Sequence, residues 1–256
     1  MQQPRSRRLL RPSRLFSQSP VPVSLLALET ATSTCGVALL QGDTVLAEMH
    51  LHRPRVHAER LTPLVEALLA QAEVELGALD AVAVSRGPGS YTGLRIGAST
   101  AKGWALAAKV PLVGVSTLAA YAASVRPIAA PGDVVCALLD ARRDEVYAGA
   151  YRRTPTGMHE HAPVQALPVA ALPEWLGAVD GQLWGVGDGG EKAREVLAAT
   201  HDAFSLVPAD AHPPSAAWVA RCAQQRLATD TTDDVATFEP LYVKDVHATP
   251  APSPFA

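Results

Sequence analysis

Residues 81–109, AVAVSRGPGSYTGLRIGASTAKGWALAAK, predict a buried strand, a glycine-rich turn and a long helix in direct succession. The apolar run from Ala81 to Ser85 suits a buried strand, and residues 86–90 have the composition of a turn. We expect the helix to begin at Thr92 and to end near Ala108. Because such a turn brings backbone N–H groups to a helix N-terminus, where anions are favoured, a phosphate-binding loop is the first interpretation to test.

The turn matches neither of the specific phosphate-binding patterns. A Walker loop requires Gly-Lys-Ser/Thr at the start of the helix, whereas Gly93 is followed by Leu94 and Arg95. A dinucleotide fingerprint requires G-x-G-x-x-G, whereas Gly87, Gly89 and Gly93 leave one residue too many between the last two glycines. The turn alone therefore does not identify a nucleotide site.

The predicted helix has a face of small residues. Gly93, Gly97 and Gly103 each destabilise a helix by about 1 kcal/mol relative to alanine. Gly93, Gly97 and Thr100 share one side of the helix, where a neighbour that packs very closely would offset this cost. The sequence leaves two alternatives for that neighbour: the sheet of the same domain, or a partner helix or ligand.

The first half of the chain predicts one α/β unit. Short apolar runs at 25–30, 35–40 and 44–50 indicate an antiparallel meander, and a helix with an apolar stripe follows from about Ala58. The strand and helix of residues 81–108 and a further strand and helix complete a βββαβαβα order. A mixed sheet with helices on both faces is the natural packing of these elements.

The second half reads as a smaller repeat of the first. It contains a predicted hairpin, a short strand and two helices, whereas residues 154–182 show no convincing periodicity except for a short helix within 169–176. The predicted division of the chain is a disordered Arg-rich tail, an N-terminal lobe, a smaller C-terminal lobe and a second disordered tail, at 1–23, 24–126, 127–245 and 246–256.

Six segments carry a family resemblance: LALETATSTCGVAL (26–39), RVHAERLTPLVEALL (55–69), SRGPGSYTGLRIG (85–97), GVSTL (114–118), LDARRDEVYAGAY (139–151) and EPLYVKD (239–245). They resemble the dimerisation subunit of the bacterial tRNA threonylcarbamoyladenosine system. That family is glycoprotease-like and non-catalytic, and belongs to the actin/Hsp70/sugar-kinase superfamily. The resemblance implies two lobes of actin/Hsp70-like, ribonuclease H-like fold, with mixed sheets flanked by helices.

The resemblance also implies a function. It is the formation of N6-threonylcarbamoyladenosine at position 37 of tRNAs reading ANN codons, in which the chain pairs with a homologous catalytic subunit and activates it. A P-loop ATPase subunit of the same pathway is a further implied partner, and self-pairing is an open alternative. No cofactor is expected on the chain alone, while ATP or ADP at the joint with the catalytic partner stays open.

Two departures from the superfamily pattern argue against catalysis by this chain. The catalytic sister subunits carry two metal-binding histidines four residues apart, and here His57 is followed by Leu61, so we expect no metal. Active members have a glycine-rich turn after an acidic residue, whereas Glu29 is followed by a turn without glycine. Glu29, Thr30 and Thr32 are the remaining candidates for binding a cofactor, although hydroxyls in turns usually bond to their own backbone.

The function predicted from these departures is that of an interaction subunit with no catalytic residues. The predicted partner interface consists of two apolar positions of the helix after the meander and the small-residue face of the next helix: Leu64, Leu68, Gly93, Gly97 and Thr100. The alternative function is a stand-alone nucleotide-binding enzyme, a kinase or ATPase of the same superfamily.

The amino-acid composition limits the cellular compartment and the binding partners that the protein can have. The three cysteines are odd in number and far apart, which favours a reducing compartment, and no apolar stretch approaches the roughly 18 residues of a membrane span. Together with the family resemblance, this favours a protein of the bacterial cytoplasm without membrane contact. The Arg/Ser/Pro composition of the tail leaves an organellar transit peptide as the alternative. The tail holds 5 of the 22 basic residues and none of the 25 acidic ones, so the remaining body is acidic. An acidic body predicts little direct contact with tRNA.

The Arg-rich tail is predicted to be dispensable for folding, because its composition offers little apolar surface to offset the entropy of ordering it. Deleting residues 1–22 should leave the thermal unfolding midpoint and partner binding nearly unchanged. A fall of many degrees in the midpoint would show instead that the tail packs on the body.

Overall fold

A computed structural model describes residues 23–208 and 210–244 of the chain, which form two five-stranded mixed sheets with helices against them. The two predicted tails lie outside the described residues, apart from Val23. No helix within the described ranges is long and apolar enough to cross a membrane.

The first sheet has the predicted meander at one side. Its strands are β1 (Ser24–Glu29), β2 (Thr34–Gln41), β3 (Thr44–His52), β4 (Ala81–Gly87) and β5 (Leu112–Ser116). They lie in the order β3-β2-β1-β4-β5, in which the first three are antiparallel and β1, β4 and β5 are parallel. Every residue of β1 is buried, as expected for a central strand with both faces covered.

The second sheet repeats this topology. Its strands are β6 (Val134–Asp140), β7 (Glu145–Thr154), β8 (Gly157–Pro168), β9 (Leu183–Val186) and β10 (Phe204–Leu206). The order β8-β7-β6-β9-β10, with an antiparallel meander and two parallel neighbours, corresponds strand for strand to the first sheet. The repeat and the two-lobed, ribonuclease H-like fold class are thereby confirmed.

Helices cover both faces of each sheet. They are α1 (His57–Gln71), α2 (Tyr91–Ala108), α3 (Thr117–Ser124), α4 (Leu172–Leu176), α5 (Gly190–Thr200) and α6 (Ala216–Ala228). Helices α1 and α2 pack side by side on one face of the first sheet. Helix α6 covers the other face of that sheet, α3 packs against α6 and against the second sheet, and α4 and α5 lie on the outer face of the second sheet.

The predicted boundary between the two lobes, after residue 126, stays a prediction. The position of α6 is relevant to it. This helix belongs to the second half in sequence, yet its alanines and Val219 join the core beneath β1 and β2. The chain therefore returns to the first lobe after completing the second sheet.

The prediction that residues 154–182 lack regular structure is wrong for their first half. Residues 157–168 form β8, the edge strand of the second sheet, and 204–206 form the short β10, which was also missed. Only three residues of β8 are fully buried, because an edge strand with one face in solvent needs few apolar side chains. The short helix predicted within 169–176 is present as α4 preceded by a turn of 3₁₀-helix.

Candidate functional site

The β1–β2 turn and the start of α2 meet at the end of the first sheet where β1 and β4 terminate. Strands β1 and β4 are parallel neighbours, so the segments that follow them emerge side by side. The backbone N–H of Ser90 donates to the carbonyl oxygen of Ala31 at 2.7 Å. The Ser90 hydroxyl in turn accepts the N–H of Gly93 at 3.3 Å and so caps α2. The helix N-terminus that suggested an anion site is therefore occupied by the chain itself.

Glu29, the acidic candidate, is buried at the end of β1. Its side chain is 2% exposed, and its carboxylate accepts the backbone N–H of Ala31 at 2.8 Å. Burial raises the pKa of this carboxyl group to about 7, although hydrogen bonds from Ser85 and Ala31 oppose the shift. The carboxyl group is thus held by its own turn, and it also lines a small cavity together with Tyr121, Ser124 and Trp218.

The other two candidates, Thr30 and Thr32, also face their own chain. Thr32 Oγ1 accepts the backbone N–H of Thr34 at 3.2 Å, as turn hydroxyls commonly do. Thr30 is fully buried, and its hydroxyl has no hydrogen-bond partner among the described residues. The structure brings Glu29, Thr30 and Thr32 into one turn, in which Glu29 and Thr30 are buried, the latter against Gly97 of α2, and Thr32 is half-exposed.

The glycines of α2 explain why this turn is closed. A Cβ on Gly93 would overlap the carbonyl oxygen of Thr30, and a Cβ on Gly97 would overlap Thr30 Oγ1. A Cβ on Gly89 would likewise overlap the carbonyl oxygen of Ala31. The close neighbour that the glycine face requires is therefore the β1–β2 turn of the same lobe.

This finding corrects part of the predicted partner interface. Gly93 and Gly97 are buried within the lobe and form no groove for a second helix, because Thr30 fills that space. Leu68 is also fully buried in the core of the first lobe. Leu64 and Thr100 are partly exposed and stay candidates for the interface.

The exposed side of α2 is the one opposite to Gly93 and Gly97. At 100° per residue, Tyr91, Arg95, Ser99 and Leu106 fall on one outward stripe, and all four are exposed. Periodicity showed which residues share a face, but not that the apolar Leu106 and Tyr91 belong to the face that points to solvent.

The residues at the metal-ligand positions have structural roles. His57 is buried, and its Nε2 donates to the carbonyl oxygen of Thr34 at 3.0 Å, so this nitrogen cannot also bind a metal. Leu61 is 1% exposed and lies in the core between α1 and the sheet. Within the described residues, no three His, Cys, Asp or Glu side chains are grouped as a metal site.

The equivalent turn of the second lobe is also tied to its own chain. Lys192 of α5 donates to Asp140 Oδ1 at 2.6 Å and to the carbonyl oxygen of Arg143 at 2.7 Å. The Lys192 hydrogen bond lowers the pKa of Asp140. Both β-hairpin turns are therefore fastened by intramolecular contacts.

Comparison with known proteins identifies the family. The chain is 34% identical to the tRNA threonylcarbamoyladenosine biosynthesis protein TsaB of Escherichia coli, over 86% of this chain and 94% of that protein. It is also 34% identical to TsaB of Bacillus subtilis, over 70% of this chain and 72% of that protein. The chain belongs to the TsaB family.

Two further matches agree with the assignment to the TsaB family. A family model described as TsaD, tRNA N6-adenosine threonylcarbamoyltransferase, matches residues 44–251. The solved structure of YeaZ from Pseudomonas aeruginosa superposes with a TM-score of 0.75 at 32% identity, and the match covers 86% of this chain and 99% of that one.

Two glycines of α2 make a matched pair for testing the closed turn. Gly97→Ala should destabilise the protein by about 1–3 kcal/mol, because the added methyl group overlaps Thr30. Gly103→Ala should stabilise it by up to about 1 kcal/mol, because nothing lies within 4 Å of the added group and alanine favours the helix. Urea unfolding of both variants measures the difference, and equal stabilities would contradict the packing described.

Proposed function

We propose that this chain is the non-catalytic subunit of the complex that forms N6-threonylcarbamoyladenosine at position 37 of tRNAs reading ANN codons. It pairs with a homologous catalytic subunit and activates it. The names of the TsaB relatives support the pathway, and the family model supports kinship with a threonylcarbamoyl transferase.

The observation that carries the non-catalytic role is the closed β1–β2 turn. The superfamily uses this turn to wrap phosphates, and here Thr30 and Ala31 are packed against the glycines of α2. Because α2 closes this turn on one side, the proposal places no nucleotide phosphate there and assigns no step of a reaction to Glu29, Thr30 or Thr32. The buried Leu61 and the backbone-bonded His57 support the same conclusion for a metal-dependent transfer.

The pairing surface is proposed to lie on α1 and α2, whose outer faces are adjacent on one side of the first lobe. The partly exposed Leu64 and the exposed Leu106, which is 66% accessible, provide apolar contacts there. Homologous subunits present equivalent helices, so two such pairs can form a four-helix joint. ATP or ADP at that joint and a P-loop ATPase as a third subunit belong to the same proposal.

Reconstitution of tRNA modification tests the proposal. The catalytic homologue from the same genome, supplied with the ATPase subunit, tRNA and the small substrates, should modify tRNA much faster when this chain is added. Glu29→Gln should activate as well as the wild type, because glutamine keeps the acceptor for the Ala31 N–H and no chemistry occurs at this position. The chain alone should hold no stoichiometric zinc or iron and should hydrolyse ATP only at the background rate.

Two results would contradict the non-catalytic role. Steady ATP turnover by the chain alone that falls with Glu29→Gln would favour the alternative, a stand-alone kinase or ATPase of the same superfamily. Unchanged tRNA modification in the absence of the chain would exclude an activating role.

A further inference from the structure

A small cavity lies where the end of β1 meets α3 and the start of α6. Glu29 lines it from β1, Thr117 and Tyr121 line it from α3, and residues 213–215 and Trp218 close it from the side of α6. It offers about 10 Å³ to the centre of a water molecule, which is room for about one water. The cavity therefore has space to hydrate a neutral polar group but not a charged one.

Helix α3, which forms one wall of the cavity, is shared between the two lobes. Its Ala120 belongs to the core beneath the first sheet, whereas Leu118 and Tyr121 pack with apolar residues of the second sheet. Burial raises the pKa of the Tyr121 hydroxyl, and the charges of Glu29 in the first lobe and Asp188 in the second raise it further. A displacement of α3 at this cavity therefore changes the joint between the lobes.

Two buried polar groups at the cavity lack a partner that would satisfy them. The Thr117 side chain lines the cavity, is buried and has no hydrogen-bond partner for its hydroxyl among the described residues. The carboxyl group of Glu29 has no ion pair with a lysine or arginine in the same part of the chain. Burial of an unpaired charge is far more costly than burial of a neutral carboxyl group.

No element around Glu29 supplies a compensating positive charge. The basic side chains of β4, α2 and α6 are bonded elsewhere. The other titratable side chains of the surrounding elements are Cys35 on β2, Glu48 on β3, His57 on α1, Tyr121 on α3 and Asp188 after β9. The cysteine and the tyrosine are neutral, because burial and then the charge of Glu29 raise their pKa values. The histidine is bonded to a backbone carbonyl, and Glu48 accepts the Ser215 hydroxyl at 2.7 Å.

We propose that Glu29 is a proton-operated latch in the joint between the two lobes. With its proton bound, the carboxyl group is neutral and shares the single water of the cavity with Thr117, so α3 stays closed on the end of β1. When the proton leaves, the buried charge draws further water into the cavity and loosens α3. The inference is separate from the proposed function, since it concerns a joint within this chain and no step of the tRNA reaction.

Urea unfolding of the wild type and Glu29→Gln over a range of pH tests the latch. Glutamine keeps the acceptor for the Ala31 N–H but does not ionise. The pKa of Glu29 is about 7 in the folded chain against an ordinary value of 4.5, so the folded state holds the proton more tightly than the unfolded state. Relative to the variant, the folding equilibrium constant of the wild type should fall by about tenfold per pH unit from about pH 5 to about pH 7, and should level off at higher pH.

Glu174→Gln is the matched control, because it removes a carboxylate that is exposed on α4 and should keep the wild-type pH profile. A wild-type profile that runs parallel to that of Glu29→Gln would overturn the latch, since Glu29 would then carry no proton that the unfolded chain releases.

Hydrogen–deuterium exchange shows whether the titration moves α3. After correction for the pH dependence of chemical exchange, the α3 amides of the wild type should exchange severalfold faster at about pH 8 than at about pH 6, relative to those of α5. In Glu29→Gln the two rates should be equal. Equal protection of α3 at both pH values in the wild type would overturn the latch, even if Glu29 titrates.

Trp218→Ala provides a second route if Glu29→Gln does not fold. Removing the indole opens the cavity, so that water hydrates the carboxylate and the pH dependence of stability should flatten, although the overall stability falls. Trp175→Ala is its matched control, because Trp175 packs in the second lobe away from the cavity and its loss should leave the profile steep. A profile as steep in Trp218→Ala as in the wild type would overturn the assignment of the pH dependence to this cavity.

Discussion

The structure depends on the close contact between the β1–β2 turn and the glycine face of α2. Thr30 and Ala31 occupy the space that side chains at Gly89, Gly93 and Gly97 would need. The contact places α2 nearer to the sheet than any larger residue would permit. It therefore determines which side of α2 is buried, and the opposite stripe from Tyr91 to Leu106 is left for solvent or a partner.

The same contact also affects whether the β1–β2 turn can bind a phosphate. A turn that wraps a phosphate needs accessible backbone N–H groups, whereas here the turn is committed to Ser90 and to the buried carboxyl group of Glu29. In the second lobe, Lys192 holds the corresponding turn by Asp140 and Arg143. In the first lobe, intramolecular hydrogen bonds thus use backbone N–H groups that a phosphate would need, which is consistent with the proposed role of an interaction subunit.

Much of the fold could be predicted because its signals are local. The meander, the 3.6-residue repeat of α1 and the strand–turn–helix of residues 81–109 all follow from neighbouring residues. Strands β8 and β10 could not, since β8 is a half-exposed edge and β10 has only three residues. The contents of the candidate site were harder to predict. Helical spacing placed Gly93 and Gly97 on one face, but only the tertiary structure shows that Thr30 fills it. The path of residues 233–244 depends on contacts between residues far apart in sequence, such as Lys244 with Ala141, which no local pattern reveals.

Hydrogen–deuterium exchange of the chain, with and without the catalytic homologue, tests the central claim most directly. This claim is that the closed turn fixes α2 so that its outward stripe docks. The account predicts new protection in the segments that contain α1 and α2, and no change at Thr30, Ala31 and Thr34, whose amides are already bonded within the lobe. New protection at 29–34 together with unchanged exchange in α2 would contradict it, because the turn would then be the surface that meets the partner or its ligand.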